Sequence, residues 1–419
     1  MKRIFSCAAV VCLLLASGAV LAQDPTSRKV SALLQEGRVH AEAKEFEKAL
    51  FKAREALKLA PRDPSCLATT ACYEHCIAEY ESGLSHALQA LKVGGPNPWV
   101  HAMVGFNAYG SQDFDLARRH LEKAVAAGPD KIIKTNYDHA KNVLQDLKGR
   151  TYSIVWTFDP KKVFRKEEDG YICIPCVSTN LPYQAASFEL IGAKDHKILK
   201  TNGSEFLLVL PREMESFKLR VRAAVKAYTY KAQLKNRRVE NPVPKEAERY
   251  LGKSWKLDPQ NRVIAELARR LRTKDVGSTV DNFLKWMNEH LRYGKYYDFK
   301  DAADIIEHGS ACCVGWAHLF TALCRSAGIP ARPVRGMVKA PDLVPVGHLC
   351  GHSWVEVYVS GAGWIPVEPQ RRKSFGMFEA SYVRQFHYAV GGNLDNPFLP
   401  DVNAAQMAGL QQPEYEEGQ

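Results

Sequence analysis

Hydrophobic positions in the first third of the chain return at helical spacing in three similar units. Phe46, Ala49, Ala53 and Ala56 precede Pro61; Tyr80, Gly83, Ala87 and Ala90 precede Pro96; Phe114, Ala117, Leu121 and Ala124 precede Pro129. An aromatic, a small residue and two more packing residues at steps of three and four put one helix face against a close neighbour. Each unit closes on Ala60-Pro61, Gly95-Pro96 or Gly128-Pro129, and proline stops the second helix. Earlier in each unit Gly37, Ala71 and Gly105 admit a closely paired helix. This pattern predicts helix pairs over residues 28–148.

Beyond residue 150 the period changes to two. Tyr152, Ile154, Trp156 and Phe158 alternate with Thr151, Ser153 and Thr157, the pattern of a half-buried strand. Asp169-Gly170 precedes another run at 171–177, and more follow at 187–191, 205–210 and 217–230. Strands with turn signals between them predict a small β-sandwich-like module over 150–235. Nothing in it is catalytic in composition. A charged, proline-containing stretch opens a linker over 236–257. Helical spacing resumes at Val263, Ile264, Leu267, Ala268 and Leu271, then at Val280, Phe283, Leu284, Met287 and Leu291. A further helix begins at Cys313, with its apolar face at 313, 317, 320, 323 and 324, and stops at Gly328 and Pro330. His352-Ser353-Trp354-Val355-Glu356-Val357 and Gly363-Trp364-Ile365-Pro366-Val367-Glu368 read as two short strands. The polar end, 391–419, reads as a flexible tail.

The chemistry sits in this last part. A cysteine at a helix start meets exposed amides and the positive end of the helix dipole, both of which favour thiolate. If the two strands are neighbours, His352 and Glu368 meet near Cys313. A thiolate to attack, an imidazole to shuttle protons and a carboxylate to fix the imidazole tautomer make a thiol acyl-transfer site. Cys313, His352 and Glu368 are therefore the candidate catalytic residues. By the same pattern His318 falls away from the apolar stripe and reads as a surface histidine, Arg332 and Arg335 read as structural, and Trp354 and Trp364 as sheet packing.

The order of these pieces resembles the transglutaminase-like superfamily over residues 258–390. The cysteine helix, Gly328-Ile329-Pro330-Ala331-Arg332, the His-x-Trp-x-Glu strand and the Gly-Trp-x-Pro-Val-acid-Pro strand carry the likeness together. The resemblance implies an α+β papain-like core and attack on a carboxamide through a cysteine acyl-enzyme, ending in hydrolysis or transfer to an amine. Two positions depart from the pattern: Glu368 stands where such families usually have Asp, and Ala311 where glycine is common. Cys312 adjoins the nucleophile, but only Cys313 keeps Ala317 and Phe320 in their family places. The helical units resemble tetratricopeptide repeats, whose spacing is ~34 residues. That likeness implies a curved surface for a peptide or protein partner, a spacer being the other reading.

Composition adds a compartment. Lys2 and Arg3, an apolar run over 8–16 and Val20-Leu21-Ala22 form a secretory signal peptide over 1–22, cleaved after Ala22. A secreted or periplasmic protein, with no transmembrane segment in the mature chain, is expected. Of eleven cysteines, Cys7 and Cys12 fall in the signal. The remaining odd number leaves a thiol unpaired within the chain. Cys173 and Cys176 have redox-pair spacing but lie in a strand, so a local bridge or core thiols is expected there. Cys72 and Cys76, one turn apart, read as core thiols. The formal charge of +11 comes from scattered residues, with compact runs only at Arg237-Arg238 and Arg371-Arg372-Lys373, and no nucleic-acid-binding motif accompanies it. No cofactor and no metal is expected: Cys312, Cys313, His348, Cys350 and His352 are ligand types, but adjacent cysteines chelate one zinc poorly.

The chain is thus expected to be multidomain: all-α repeats over 28–148, a β-sandwich-like module and an α+β papain-like core. The leading expectation is an exported cysteine enzyme acting on a peptide or protein substrate. The alternative is a catalytically inactive transglutaminase fold serving a protein-binding scaffold of tetratricopeptide type.

Overall fold

Three helix pairs follow one another from the N-terminal side: α1 (Pro25–Glu42) with α2 (Phe46–Leu59), α3 (Pro64–Cys76) with α4 (Tyr80–Gly94), and α5 (Pro98–Gly110) with α6 (Phe114–Ala126). A last helix, α7 (Lys134–Lys148), packs on α6. The computed structural model describes residues 24–158, 171–175, 181–192, 197–200, 206–211, 217–234, 237–239, 242–254, 256–294, 299–339, 349–387 and 414–417. The signal segment, Cys176 and His348 lie outside them.

Local chemistry explains the repeats. Asp24, Asp63 and Asn97 cap α1, α3 and α5 by accepting backbone N–H bonds, and each helix opens on proline, whose missing N–H costs nothing there. Within each pair the turn passes through a left-handed residue, Lys44, Ala78 or Gln112, each at φ 63°. These three positions keep the repeat spacing seen in the hydrophobic pattern. At Gly105 a Cβ would fall 2.4 Å from the Leu121 Cγ, so only glycine lets α5 and α6 approach this closely. Cys72 and Cys76 are buried in the helical core.

The chain divides between Lys148 and Gly149 into two compact units. In the second, β1 (Arg150–Phe158), β2 (Tyr171–Pro175), β3 (Gln184–Ile191), β4 (Lys197–Lys200), β5 (Phe206–Pro211), β6 (Phe217–Val225) and β7 (Tyr228–Thr229) come first. β1, β6 and β3 lie side by side antiparallel, and β2, β5 and β4 make a second antiparallel sheet. β6 alternates as its sequence requires, burying Phe217, Leu219, Val221, Ala223 and Val225 while Lys218, Arg222 and Ala224 are exposed. A short helix, α8 (Lys245–Glu248), lies in the stretch expected to be a linker. That stretch is packed: Val239, Ala247, Tyr250 and Leu257 are all buried.

Next come α9 (Arg262–Leu271), α10 (Val276–His290), β8 (Arg292–Tyr293), α11 (Ala302–His308), β9 (Ser310–Ala311) and α12 (Cys313–Ser326). β10 (Ala331–Lys339), β11 (Leu349–Val359), β12 (Gly363–Val367), β13 (Met377–Phe378) and β14 (Tyr382–His387) complete the core. Its sheet runs β12-β11-β10-β14, antiparallel throughout, and α12 packs on β10 and β11 with α9, α10 and α11 around it. This is an α+β core with a helix laid on an antiparallel sheet.

The strands from 150 onward and this core share one compact unit. β7 pairs with β13. The Tyr152 hydroxyl donates to the Ala380 carbonyl at 2.8 Å. The Gln184 amide both donates to the Arg384 carbonyl (2.8 Å) and accepts from its N–H (2.7 Å). The described strands of 150–235 thus fall in one compact unit with the core, where the alternating pattern suggested a module of their own. Within the expected tail, β15 (Glu414–Glu417) lies antiparallel along β1.

Candidate active site

Cys313 is the first residue of α12, and Cys312 takes the N-cap position with extended backbone. Trp316 N–H makes the first intrahelical bond, to the Cys312 carbonyl at 3.0 Å, so the amides of 313–315 point out of the helix end. The short parallel pair of β8 and β9 fixes the approach to this turn. Ala311, the departure from the family glycine, is accommodated by Gly315: a Cβ there would lie 2.5 Å from the Ala311 Cβ.

His352 lies on β11 and is 2 % exposed. Its Nε2 sits 2.6 Å from Glu368 Oε2. With Nε2 committed to the carboxylate, Nδ1 is the nitrogen left for the Cys313 thiol, and each of these two groups shifts the pKa of the other. Glu368 follows directly on β12, the neighbour of β11, as the strand-pair expectation required. The glutamate is held at several points. Gln370 N–H donates to Oε1 at 3.1 Å and the Tyr382 hydroxyl to Oε2 at 3.1 Å. Ser374 Oγ accepts from the Glu368 N–H at 3.1 Å and donates to its carbonyl at 2.7 Å. The structure thus brings Cys313, His352 and Glu368 together.

Electrostatics separates the two adjacent thiols. Burial would push the Cys313 thiol up, but the His352 hydrogen bond, the charges of His352 and Arg335 and the Ser353 N–H outweigh it, and its pKa is lowered. Burial dominates at Cys312, whose pKa is raised against the opposing amide of Gly315. Burial also works against a charged His352, yet the Glu368 carboxylate and the Cys313 thiol hold its pKa above the ordinary imidazole value. Glu368 is lowered: burial opposes its charge, and the imidazole of His352 more than compensates. These directions describe a thiolate–imidazolium pair braced by a carboxylate.

Several neighbours escape a reading of the sequence. Tyr382, Gln370 and Ser374 belong to no local motif; tertiary pairing and a turn bring them to Glu368. His318 is not a surface histidine: it is 2 % exposed, and burial pushes its pKa down to about 3, with Lys256 and Arg325 adding to the effect. An apolar stripe implies an open opposite face, but α12 is enclosed by the sheet and by three helices. Arg332 is buried in an ion pair with Glu356, Nη2 to Oε2 at 2.7 Å, as its structural assignment expects. Trp354 packs beside Phe378 and Tyr382, and Trp364 beneath the Arg332 guanidinium, 4.1 Å from ring centroid to Cζ. The basic run 371–373 is taken up internally: Arg371 with Glu379, Arg372 with Glu289 and Lys373 with Asp281. Among the described residues no group of three or more His, Cys, Asp and Glu is placed to hold a metal ion. No helix among them is long and apolar enough to cross a membrane.

The family model described as the transglutaminase-like superfamily matches residues 265–369, a span that contains Cys313, His352 and Glu368. The chain carries a transglutaminase-like domain there, preceded by the helix pairs of the N-terminal unit. A candidate cysteine protease from Cytophaga hutchinsonii is 16% identical, with 64% of this chain and 91% of that chain covered and a TM-score of 0.41. The periplasmic domain of TgpA from Pseudomonas aeruginosa is 17% identical over 54% of this chain and 90% of its own, with a TM-score of 0.32. The Sgt2 tetratricopeptide domain from Aspergillus fumigatus is 21% identical over 30% of this chain and 83% of its own, with a TM-score of 0.25. No curated protein matches the chain.

Proposed function

We propose that this chain is an exported cysteine enzyme that attacks carboxamide or peptide bonds through a thioester acyl-enzyme. The observation that carries this is the buried imidazole of His352, held by Glu368 at 2.6 Å and raised in pKa by that carboxylate and by the Cys313 thiol. Cys313 thiolate adds to the amide carbonyl, and the first-turn amides of α12 are the donors nearest the developing oxyanion. His352 Nδ1–H protonates the departing amine as the C–N bond breaks, leaving a thioester on Cys313. Water or a second amine then attacks, losing its proton to His352, and the thiolate leaves. Glu368 accepts from Nε2–H throughout, holding the tautomer and stabilising imidazolium. Export rests on the charged, apolar and small-residue pattern of the first 22 residues. The helical repeats supply a surface for a peptide or protein partner.

Alkylation tests the nucleophile without a known substrate. At pH 6 iodoacetamide should label Cys313 faster than free cysteine and faster than Cys312, with Cys313→Ala abolishing the fast phase. Equal, slow labelling of both thiols, read by peptide mass spectrometry, would instead support the inactive scaffold.

A further inference from the structure

We propose that Arg335 is a substrate-recognition residue whose guanidinium binds a carboxylate carried beside the amide that Cys313 attacks. The proposal rests on the catalytic reading of Cys313 and narrows its substrates to acidic ones.

The register between β10 and β11 sets Arg335 opposite Ser353 and Met337 opposite Gly351. Arg335 therefore shares a sheet face with Ser353 and Gly351, whereas His352, Trp354 and Glu356 share the other. Its Nη1 donates to Ser353 Oγ at 3.3 Å. A Cβ added at Gly351 would lie 2.7 Å from Arg335 Nη2, so the guanidinium is laid along a residue that has no side chain. Gly351 is exposed, and Cys350 and Arg335 are half-buried. Ser353 is the link to the site: it follows His352 on β11, its hydroxyl meets Arg335, and the charge of Arg335 helps to lower the Cys313 pKa. β12 pairs with β11 only from Val355 onward, so among the described residues the start of β11 has no strand neighbour on that edge.

The other arginines of this sheet are matched. Arg332 and Arg384 both pair with Glu356; Arg325 of α12 donates to the carbonyls of Ala331 and Gly252 and to Ser254. Among the described residues Arg335 meets the Ser353 hydroxyl and no carboxylate. A half-buried cation with no carboxylate partner among the described residues, opposite the residue that follows His352 and beside an exposed glycine, is placed for an anion from outside. A guanidinium keeps its charge at any working pH, and its planar fork matches a carboxylate. One such fork suits a single carboxylate.

Two alkylating reagents that differ only in this group form the test. On the full chain, second-order rates at Cys313 would be measured with iodoacetate and iodoacetamide. Their ratio cancels the thiolate fraction, so a change in the Cys313 pKa leaves it untouched. In the wild type the ratio should exceed that of free cysteine and decline with added salt. In Arg335→Gln both rates fall through the thiolate. The iodoacetate rate falls further, lowering the ratio by roughly five-fold, the attraction of a solvated charge pair near contact. Arg335→Lys should restore most of the ratio. The same ratio in wild type and Arg335→Gln would overturn the proposal while leaving Cys313 as nucleophile. A Cys313 that reacts with neither reagent would overturn both.

Discussion

Cys312 and Cys313 are adjacent, chemically identical and both buried, yet their thiols shift in opposite directions. The imidazole of His352 lowers only the Cys313 thiol, and only an imidazole braced by a carboxylate can remain charged at 2 % exposure. A pH dependence follows from those directions. The ion pair forms as pH rises through the lowered Cys313 pKa and is lost as pH rises through the raised His352 pKa. Between them the Cys313 alkylation rate should fall less from pH 8 to pH 6 than that of a free thiol of pKa ~8.5, which slows by roughly two orders of magnitude. Glu368→Gln removes the charge that raises His352, so the upper limb should move to lower pH. Losing such a carboxylate can cost about 10⁴-fold in turnover, as in the serine-protease triad. Glu368→Asp probes length. The carboxylate is pinned by Gln370 and Tyr382 at the end of a glutamate side chain. Aspartate should fall short and lose activity, and a variant as active as wild type would show that the site has kept aspartate spacing.

At the scale of elements, the helix that presents the nucleophile and the strands that present its partners are legible because each follows one strong period. Cys313 opens α12 and His352 lies on β11, where stop signals and alternation put them. What was not legible depends on what packs against an element. His318 is on the non-apolar side of α12, but that side is covered as well. Tyr382 reaches Glu368 from β14, which pairs with β10 rather than with β12. Glu356 has the same cause: its strand position is evident, whereas its two arginines come from β10 and β14. Burial would raise the Glu356 pKa, but Arg384 and Arg332 hold it well below the usual carboxylate range. Arg384 Nε donates to Oε1 at 2.6 Å and Arg332 Nε to Oε2 at 2.9 Å. A depressed carboxylate contributes stability at neutral pH that is lost as pH falls below its unfolded value toward its folded one. Glu356→Gln should therefore flatten the acid limb of the stability curve. It should also cost about 3–5 kcal/mol at pH 7, because two buried guanidinium groups lose their counter-ion. Urea midpoints at pH 7 and pH 4 check both; an unchanged midpoint at pH 7 would mean that water replaces the carboxylate.

At the scale of the molecule, the hydrophobic pattern implies three folding units and the structure has two. The helical unit ends at Lys148. Three helix pairs and α7 bury their own small-residue seams, with Ala49, Ala53, Ala87, Ala90, Ala117 and Ala124 fully covered inside that unit. A stack of three repeats reaches the number such architectures need for stability. The middle strands differ. Tyr183 stacks on Phe378 with centroids 3.7 Å apart, and Gln184, Tyr152 and β7 all find their partners beyond residue 370. Alternation along a strand reports that one face is buried but not which later segment buries it, so a shared core reads as a separate module. Fragments make the difference measurable. Residues 24–148 expressed alone should show a helical far-UV spectrum and a single sigmoidal melt. Residues 149–419 should fold and retain fast Cys313 labelling. Residues 150–235 should not fold by themselves, because Tyr183 and Gln184 would be left without their stacking and hydrogen-bonding partners and β7 without β13. A cooperative melt from 150–235 alone would restore the three-unit division, and would make the links from Tyr152 and Gln184 to the core a docking interface between finished domains.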